Sequence, residues 1–240
     1  MPKTLTTDTL ESFQPTPPKE NFQMIKTEYK PEDFYSTYEE HREYVFPNIG
    51  KKHIRDFRKN FWTNCEFRSN MSVLEIGCGT GLFLKFLETQ GISDFYGIDA
   101  DPKVLEFMPE TLKKKVGIFD VEEYLPSLIM GKKFDRVVLI DVLEHFNPSE
   151  GANLLELLIP FLKQNGGIVV RVPNLASPWG LQWQFHDLTH KAAYTSGSLK
   201  QLGLKVGLDC QVFPHRRGNP RKQILENFFH STIEMFLTER

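Results

Sequence analysis

Residues 73–81, Val-Leu-Glu-Ile-Gly-Cys-Gly-Thr-Gly, place one acid and three alternate glycines between an apolar run and a helix-like segment starting at Leu82. Glycine lets backbone approach a ligand with no Cβ in the way, so a buried strand that turns sharply into a ligand-binding helix needs this composition. A dinucleotide turn wants Gly-x-Gly-x-x-Gly. That pattern requires glycine at position 82, where the chain has Leu82, so a dinucleotide oxidoreductase is disfavoured. Acids recur at later apolar runs: Asp99 after Tyr-Gly-Ile, Asp120 with Val121 after Phe119, and Asp141 after Val-Val-Leu-Ile. A carboxylate at Asp99 can accept hydrogen bonds from both hydroxyls of a ribose. Asp120 can accept from an adenine amino group while the Val121 N–H donates to the ring.

A second set of residues can move protons. His145 closes Asp141-Val-Leu-Glu144-His145, and a near-neutral histidine suits a general base. Two more histidines and an acid stand in His186-Asp187-Leu188-Thr189-His190. His186 and His190 are four apart, as in a zinc-protease helix, but Asp187 stands where glutamate is required and no third ligand is apparent. The alternative readings are structural. Glu144 and His145 then form a locally hydrogen-bonded turn, and Asp187, Thr189 and His190 a self-contained turn that fixes its loop. Cys78, between two motif glycines, reads as a small buried filler rather than a nucleophile.

The elements that must position these groups alternate. Strands are expected at 72–76, 94–98, 115–119, 134–140 and 167–172, with helices near 80–90, 102–108 and 148–164, the pattern of a parallel sheet with crossovers. Asn147-Pro148-Ser149-Glu150 predicts the start of the last helix, and Gly166-Gly167 its stop. A helix near 196–203, with Ser198 and Gln201 as a capping box, a strand near 205–213 and a helix near 222–238 complete the reading. The domain organisation expected is a disordered leader over 1–28, an N-terminal helical cap over 29–68, a core over 69–215 and a C-terminal helix over 216–240. The cap comprises a helix over 31–45 carrying Tyr35, Tyr38 and Tyr44, and a second with Ile54, Phe57 and Phe61 on one face. The basic residues at 51–59 and from His215 to Lys222 read as solvated faces.

At 240 residues and a formal net charge of -2, the composition gives no general electrostatic case for nucleic acid or membrane partners. No apolar run reaches the roughly 18 residues of a membrane span, and no secretion signal is evident. Cys65, Cys78 and Cys210 are scattered and odd in number, which points to a reducing, cytoplasmic location without a disulfide framework.

Glu75 with Gly77, Gly79 and Gly81, and acids in register on successive strands, resemble class I S-adenosylmethionine-dependent methyltransferases over roughly residues 50–215. The resemblance implies a Rossmann-like, doubly wound, mostly parallel α/β sheet of six or seven strands, since no antiparallel closing strand is evident after residue 213. It implies S-adenosylmethionine as cofactor, with Glu75 near the methionine amino group and Gly77, Cys78, Gly79 and Gly81 along the methionyl and adenosyl parts. Asp99 and Ala100 then meet the ribose, Asp120 and Val121 the adenine, and Asp141 the neighbourhood of the transferable methyl. The segment through His145 is similar to one in ubiquinone-pathway O-methyltransferases, where two acids and a histidine bind a divalent metal, although Asp141 replaces the first glutamate. No metal is expected here. The stretch His186–His190 resembles methyltransferases of sugar and secondary-metabolite pathways. The resulting expectation is methyl transfer to a hydroxyl or amine of a small molecule or glycan precursor, with His145, His190 and Asp187 as catalytic groups. The alternatives are a ubiquinone-type phenol O-methyltransferase and a non-catalytic S-adenosylmethionine-binding partner subunit.

Overall fold

The computed structural model describes residues 29–38, 41, 44–121, 131–215 and 232–239. The apolar runs form β1 (Ser72–Ile76), β2 (Asp94–Asp99), β3 (Val116–Ile118), β4 (Phe134–Ile140), β5 (Leu162–Pro173), β6 (Leu208–Pro214) and β7 (Thr232–Glu239). All seven join one sheet in the order β3-β2-β1-β4-β5-β7-β6. β1 through β5 pair in parallel, and β7 runs antiparallel to both β5 and β6. Because β1 lies between β2 and β4, strand order reverses there, which opens a crevice at the carboxyl ends of the strands.

Burial on both faces explains why the strands read as apolar runs rather than alternations. Leu74, Val137, Leu139, Ile168 and Val170 pack in one cluster with Leu154, Leu155 and Leu158 of α4 (Pro148–Leu158) and Leu199 and Leu202 of α6 (Ser196–Lys205). Their sequence neighbours Val73, Val138 and Val169 face the other way. They pack with Phe57 of α1 (Lys51–Phe57), Phe61 in the π-helical turn that continues it, Phe83, Phe86 and Leu87 of α2 (Leu82–Thr89), and Leu112 of the short α3 (Glu110–Lys113). The residues expected as a cap near 54–61 are thus a layer of the core. The chain divides at Lys30 into two units, and this sheet and its helices belong to the second, Pro31–Arg240.

Several expectations are corrected. Residues 232–239, expected in a C-terminal helix, form β7: Ile233, Met235 and Leu237 share one face and Phe236 the other, a period of two. The sheet therefore has its seventh strand, while the rest of the expected helix, 216–231, lies outside the described residues. So do the leader over 1–28 and the basic positions Arg216, Arg217, Arg221 and Lys222. The helix expected to reach 164 ends at Leu158, a 3₁₀ turn over Ile159–Phe161 follows, and β5 already starts at Leu162. Pro160 breaks the helix because it lacks the N–H that would continue it. Asn147 caps α4 as expected, its side chain accepting from the Ser149 and Glu150 N–H groups. For α6 the cap is Thr195, with Ser198 as the reciprocal partner rather than the cap itself. The helix expected over 31–45 opens as a 3₁₀ turn over Pro31–Thr37, and 39–40 and 42–43 lie outside the described residues.

Candidate active site

Three left-handed glycines follow β1: Gly77 at φ 66°, Gly79 at 50° and Gly81 at 88°. A Cβ on Gly77 would lie 2.4 Å from Val142 Cγ2, just past β4, so the turn is wedged against the next strand end. A Cβ on Gly79 would meet nothing within 4 Å; this backbone faces open space. The Cys78 N–H donates to the Ile98 carbonyl at 3.0 Å, tying the turn to β2. Asp99, at the end of β2, accepts from the Gly79 N–H at 2.7 Å and, through its other oxygen, from the Asp101 N–H at 3.0 Å. Burial raises its pKa against the lowering effect of these donors.

Glu75 is 3% exposed, and among the described residues no hydrogen bond reaches its Oε2. Burial, then the nearby Asp99 charge, push its pKa well up, opposed by Arg171. A buried carboxyl oxygen without a donor is costly. It fits a cationic group brought in from outside the chain, as the methionine ammonium of S-adenosylmethionine would be, and the open space at Gly79 fits a ligand lying against the turn.

The other rim positions differ in character. The Phe119 N–H donates to the Asp99 carbonyl at 3.0 Å, which sets Asp120, exposed, and Val121, buried, beside the end of β2. Ala100 is exposed. Cys78 is buried, and burial followed by the charges of Glu75 and Asp99 raises its thiol pKa well up, so it stays a neutral filler. Asp141 is held by Arg171 of β5, whose Nε donates to Oδ1 at 2.9 Å and whose Nη2 meets Oδ2. Reasoning from sequence missed this arginine; the signal was one cation inside the run Ile-Val-Val-Arg-Val-Pro. Tyr44, expected only on the cap helix, donates its hydroxyl to Asp101 Oδ2 at 2.8 Å beside the Asp99 turn.

All three expected catalytic residues come together, although His145 stands far from the other two in sequence. The Glu144 carbonyl accepts from the Lys191 and Ala192 N–H groups at 2.8 and 3.0 Å, stitching the turn after β4 to the segment after α5 (Pro178–His186). Asp187 Oδ1 accepts from the Thr189 N–H at 2.9 Å and from its hydroxyl at 2.6 Å. The Thr189 Oγ1 in turn lies 2.9 Å from His145 Nδ1, and the Tyr35 hydroxyl lies 3.1 Å from the same nitrogen. His190 Nδ1 is 3.0 Å from the Gln184 carbonyl, and its Nε2 is 3.8 Å from Asp187 Oδ2. One donor atom from each of His145, Asp187 and His190 falls within 4.8 Å of the others.

Burial acts to raise the Asp187 pKa, but the two Thr189 donors and the nearby His190 and His145 bring it below its ordinary value. Burial pushes the Tyr35 hydroxyl up to about 12, so it stays protonated. His186 does not join this group; its ring lies 5.0 Å from that of His41. A cavity of about 210 Å³ is lined by Asp141, Glu144, Trp183, His186, Asp187 and His190 among others, so a rim acid shares one space with Asp187 and His190. A larger hollow, about 510 Å³, is lined only by residues 51–63, including Lys51, Arg55, Arg58 and Lys59, and none comes from the strand ends.

The sheet order, glycine turn and acids at adjacent strand ends define a Rossmann-like methyltransferase fold. The methyltransferase domain family matches residues 38–211. The chain belongs to that family, as a class I S-adenosylmethionine-dependent methyltransferase, and S-adenosylmethionine is its cofactor. An uncharacterized methyltransferase of Alkaliphilus oremlandii is 34% identical over 97 residues, which span 40% of this chain and 43% of that protein. An S-adenosylmethionine-dependent methyltransferase from Archaeoglobus fulgidus shares the fold at TM-score 0.65 and 22% identity, covering 86% of this chain and 99% of that one. The plantazolicin methyltransferase BpumL, solved in complex with S-adenosylhomocysteine, does so at 0.55 and 16%, covering 87% and 90%. Among the described residues, no helix is long and apolar enough to cross a membrane.

Proposed function

We propose that this chain transfers a methyl group to a hydroxyl or amine of a small molecule or glycan precursor, and does so in the cytoplasm. What carries the reading is the cavity at the strand ends, where Asp141, Asp187 and His190 line one space and His145 brings a ring nitrogen within 4.8 Å of the last two. When bound, S-adenosylmethionine supplies an electrophilic methyl on a sulfonium. Glu75 takes the methionine ammonium, and the Gly77, Cys78, Gly79 and Gly81 backbone lies along the cofactor. Asp99 and Ala100 take the ribose, Asp120 and Val121 the adenine.

Asp141, pinned by Arg171, borders the acceptor side. The Thr189 hydroxyl donates to Asp187 and so presents a lone pair to His145 Nδ1–H. That arrangement leaves Nε2 as the basic nitrogen of the ring. His145 or His190 receives the proton that the acceptor loses. Holding acceptor and donor in line is worth on the order of 7–11 kcal/mol, and proton removal adds roughly 10²–10⁴-fold.

The test is S-adenosylhomocysteine release by the full chain over a panel of phenols, sugar derivatives and amines. With the acceptor so found, His145→Ala and His190→Ala are expected to lower turnover by roughly 10²–10⁴-fold while leaving S-adenosylmethionine affinity unchanged. Wild-type turnover in both variants would remove the histidines from the chemistry. Cofactor binding without turnover on any acceptor would favour a non-catalytic partner subunit.

A further inference from the structure

His186 and His190 are the pair that sequence spacing suggests for a metal, but folding sets His145, not His186, beside His190 and Asp187. We propose that His145, Asp187 and His190 form a three-ligand site for a divalent transition-type cation, Zn²⁺ in the first instance, on the wall of the acceptor cavity. The donor atoms lie within 4.8 Å of one another, and His190 Nε2 is 3.8 Å from Asp187 Oδ2. Two donors each about 2.1 Å from a tetrahedral centre stand about 3.4 Å apart, so an ion draws His190 Nε2 and Asp187 Oδ2 together by about 0.4 Å and the widest donor pair by up to about 1.4 Å.

The surrounding hydrogen bonds have the form that metal-binding histidines use. Such a histidine donates its other ring N–H to a carbonyl or carboxylate, which fixes the tautomer and aims the lone pair at the ion. His190 Nδ1 lies 3.0 Å from the Gln184 carbonyl, an acceptor only, so this nitrogen carries the proton and Nε2 the lone pair. His145 Nδ1 lies 2.9 Å from the hydroxyl of Thr189, which is itself oriented by Asp187 Oδ1 at 2.6 Å. Asp187 thus spends one oxygen on positioning and directs the other toward His190. Two imidazoles and one carboxylate, with no thiolate, suit Zn²⁺ or a neighbouring first-row ion, and three protein ligands leave a position for substrate. Asp187 and Thr189 are buried, and the His190 side chain is 5% exposed, so water competes poorly for these donors.

This inference rests on the reading that the cavity receives the acceptor, and it narrows the acceptor to a molecule that presents a hydroxyl oxygen to the ion. The ion withdraws charge from that oxygen, whose proton passes to a solvent water. The oxygen lone pair then forms the new C–O bond as the C–S bond breaks, and its electron pair stays on sulfur. With the ion in place the histidines act as neutral ligands, and the base role proposed above applies to the protein without metal.

The experiment uses the full chain, stripped with chelator and dialysed. Zn²⁺ alone is titrated in by calorimetry, and Co²⁺ binding is followed by its visible absorption; S-adenosylmethionine affinity is measured on the same stripped protein. One Zn²⁺ per chain is expected, with a Co²⁺ spectrum of tetrahedral or five-coordinate intensity. Both should be lost in Asp187→Asn and His190→Ala. Thr189→Val should weaken Zn²⁺ by about 10- to 100-fold, and Thr189→Ser should restore it. No stoichiometric Zn²⁺ or Co²⁺ binding to a stripped protein that still binds S-adenosylmethionine overturns the metal site and leaves the methyltransferase reading standing. Equal Zn²⁺ affinity in wild type, Asp187→Asn and Thr189→Val overturns it as well. If a variant loses both Zn²⁺ and S-adenosylmethionine, Thr189→Val with its serine rescue decides, because that hydroxyl touches no cofactor residue.

Discussion

Glu75→Gln is the substitution in which the electrostatics of the cofactor cleft speak most clearly. The glutamine keeps the shape of the side chain and removes its capacity for negative charge. Glu75 is 3% exposed, and burial with the neighbouring Asp99 charge raises its pKa well above the ordinary 4.5. Without ligand the folded state therefore favours the neutral acid. That contribution to stability is complete below the unfolded pKa and is lost as pH rises through the raised folded value. An ammonium ligand binds the ionised form, so uptake of S-adenosylmethionine releases a proton and tightens as pH approaches the folded pKa.

A hydrogen bond to a charged partner is worth about 1.5–3 kcal/mol, which at about 1.36 kcal/mol per tenfold makes Glu75→Gln about 10- to 150-fold weaker for the cofactor. Its ligand-free stability should not fall, since the variant no longer buries an ionisable carboxyl. Calorimetry in buffers of different ionisation enthalpy counts the released proton, and thermal melts report stability. A variant that binds S-adenosylmethionine as tightly as wild type, with the same proton release, refutes the assignment of Glu75 to the ammonium.

Two further predictions concern the scaffold. Gly77→Ala places a Cβ at 2.4 Å from Val142 in a left-handed backbone conformation, and about 1–3 kcal/mol of stability should be lost in denaturant melts, with cofactor affinity; adding Val142→Ala should return only part, and full recovery would show that backbone strain plays no role. His215→Leu should cost about 1–3 kcal/mol by leaving the buried Glu234, whose pKa burial raises despite His215, without its hydrogen-bond partner, and a loss well under 1 kcal/mol would contradict that pairing. Burial lowers the His215 pKa, but Asp56 and Glu234 outweigh it and the net shift is upward. Its contribution should therefore be complete below pH 6.5 and disappear as pH rises through the folded value.

What the sequence makes legible is local. The glycine turn is readable because three residues within five positions must all adopt left-handed backbone, and Asp99, Asp120 and Asp141 because each directly follows an apolar run that forms a strand. Less legible is whatever depends on partners brought from afar. β7 reads as helix because Glu234 interrupts its apolar run; only the fold supplies His215, just past the end of β6, to pair with that carboxyl inside the protein. Arg171 looks like an exposed interruption of β5 until Asp141 meets it. The link from Asp187 through Thr189 to His145 spans two segments joined by the Glu144 carbonyl, and no spacing rule connects them.

In the function proposed above, Glu75, Asp99 and the glycine turn make one cofactor cleft that opens onto the cavity lined by Asp141, Asp187 and His190. A crystal structure of the full chain with S-adenosylhomocysteine tests it most directly. The prediction is an amino group on Glu75, a ribose on Asp99 and a sulfur directed toward the cavity shared by Asp141 and His190. S-adenosylhomocysteine bound elsewhere, or with its sulfur turned away from that cavity, would contradict the account.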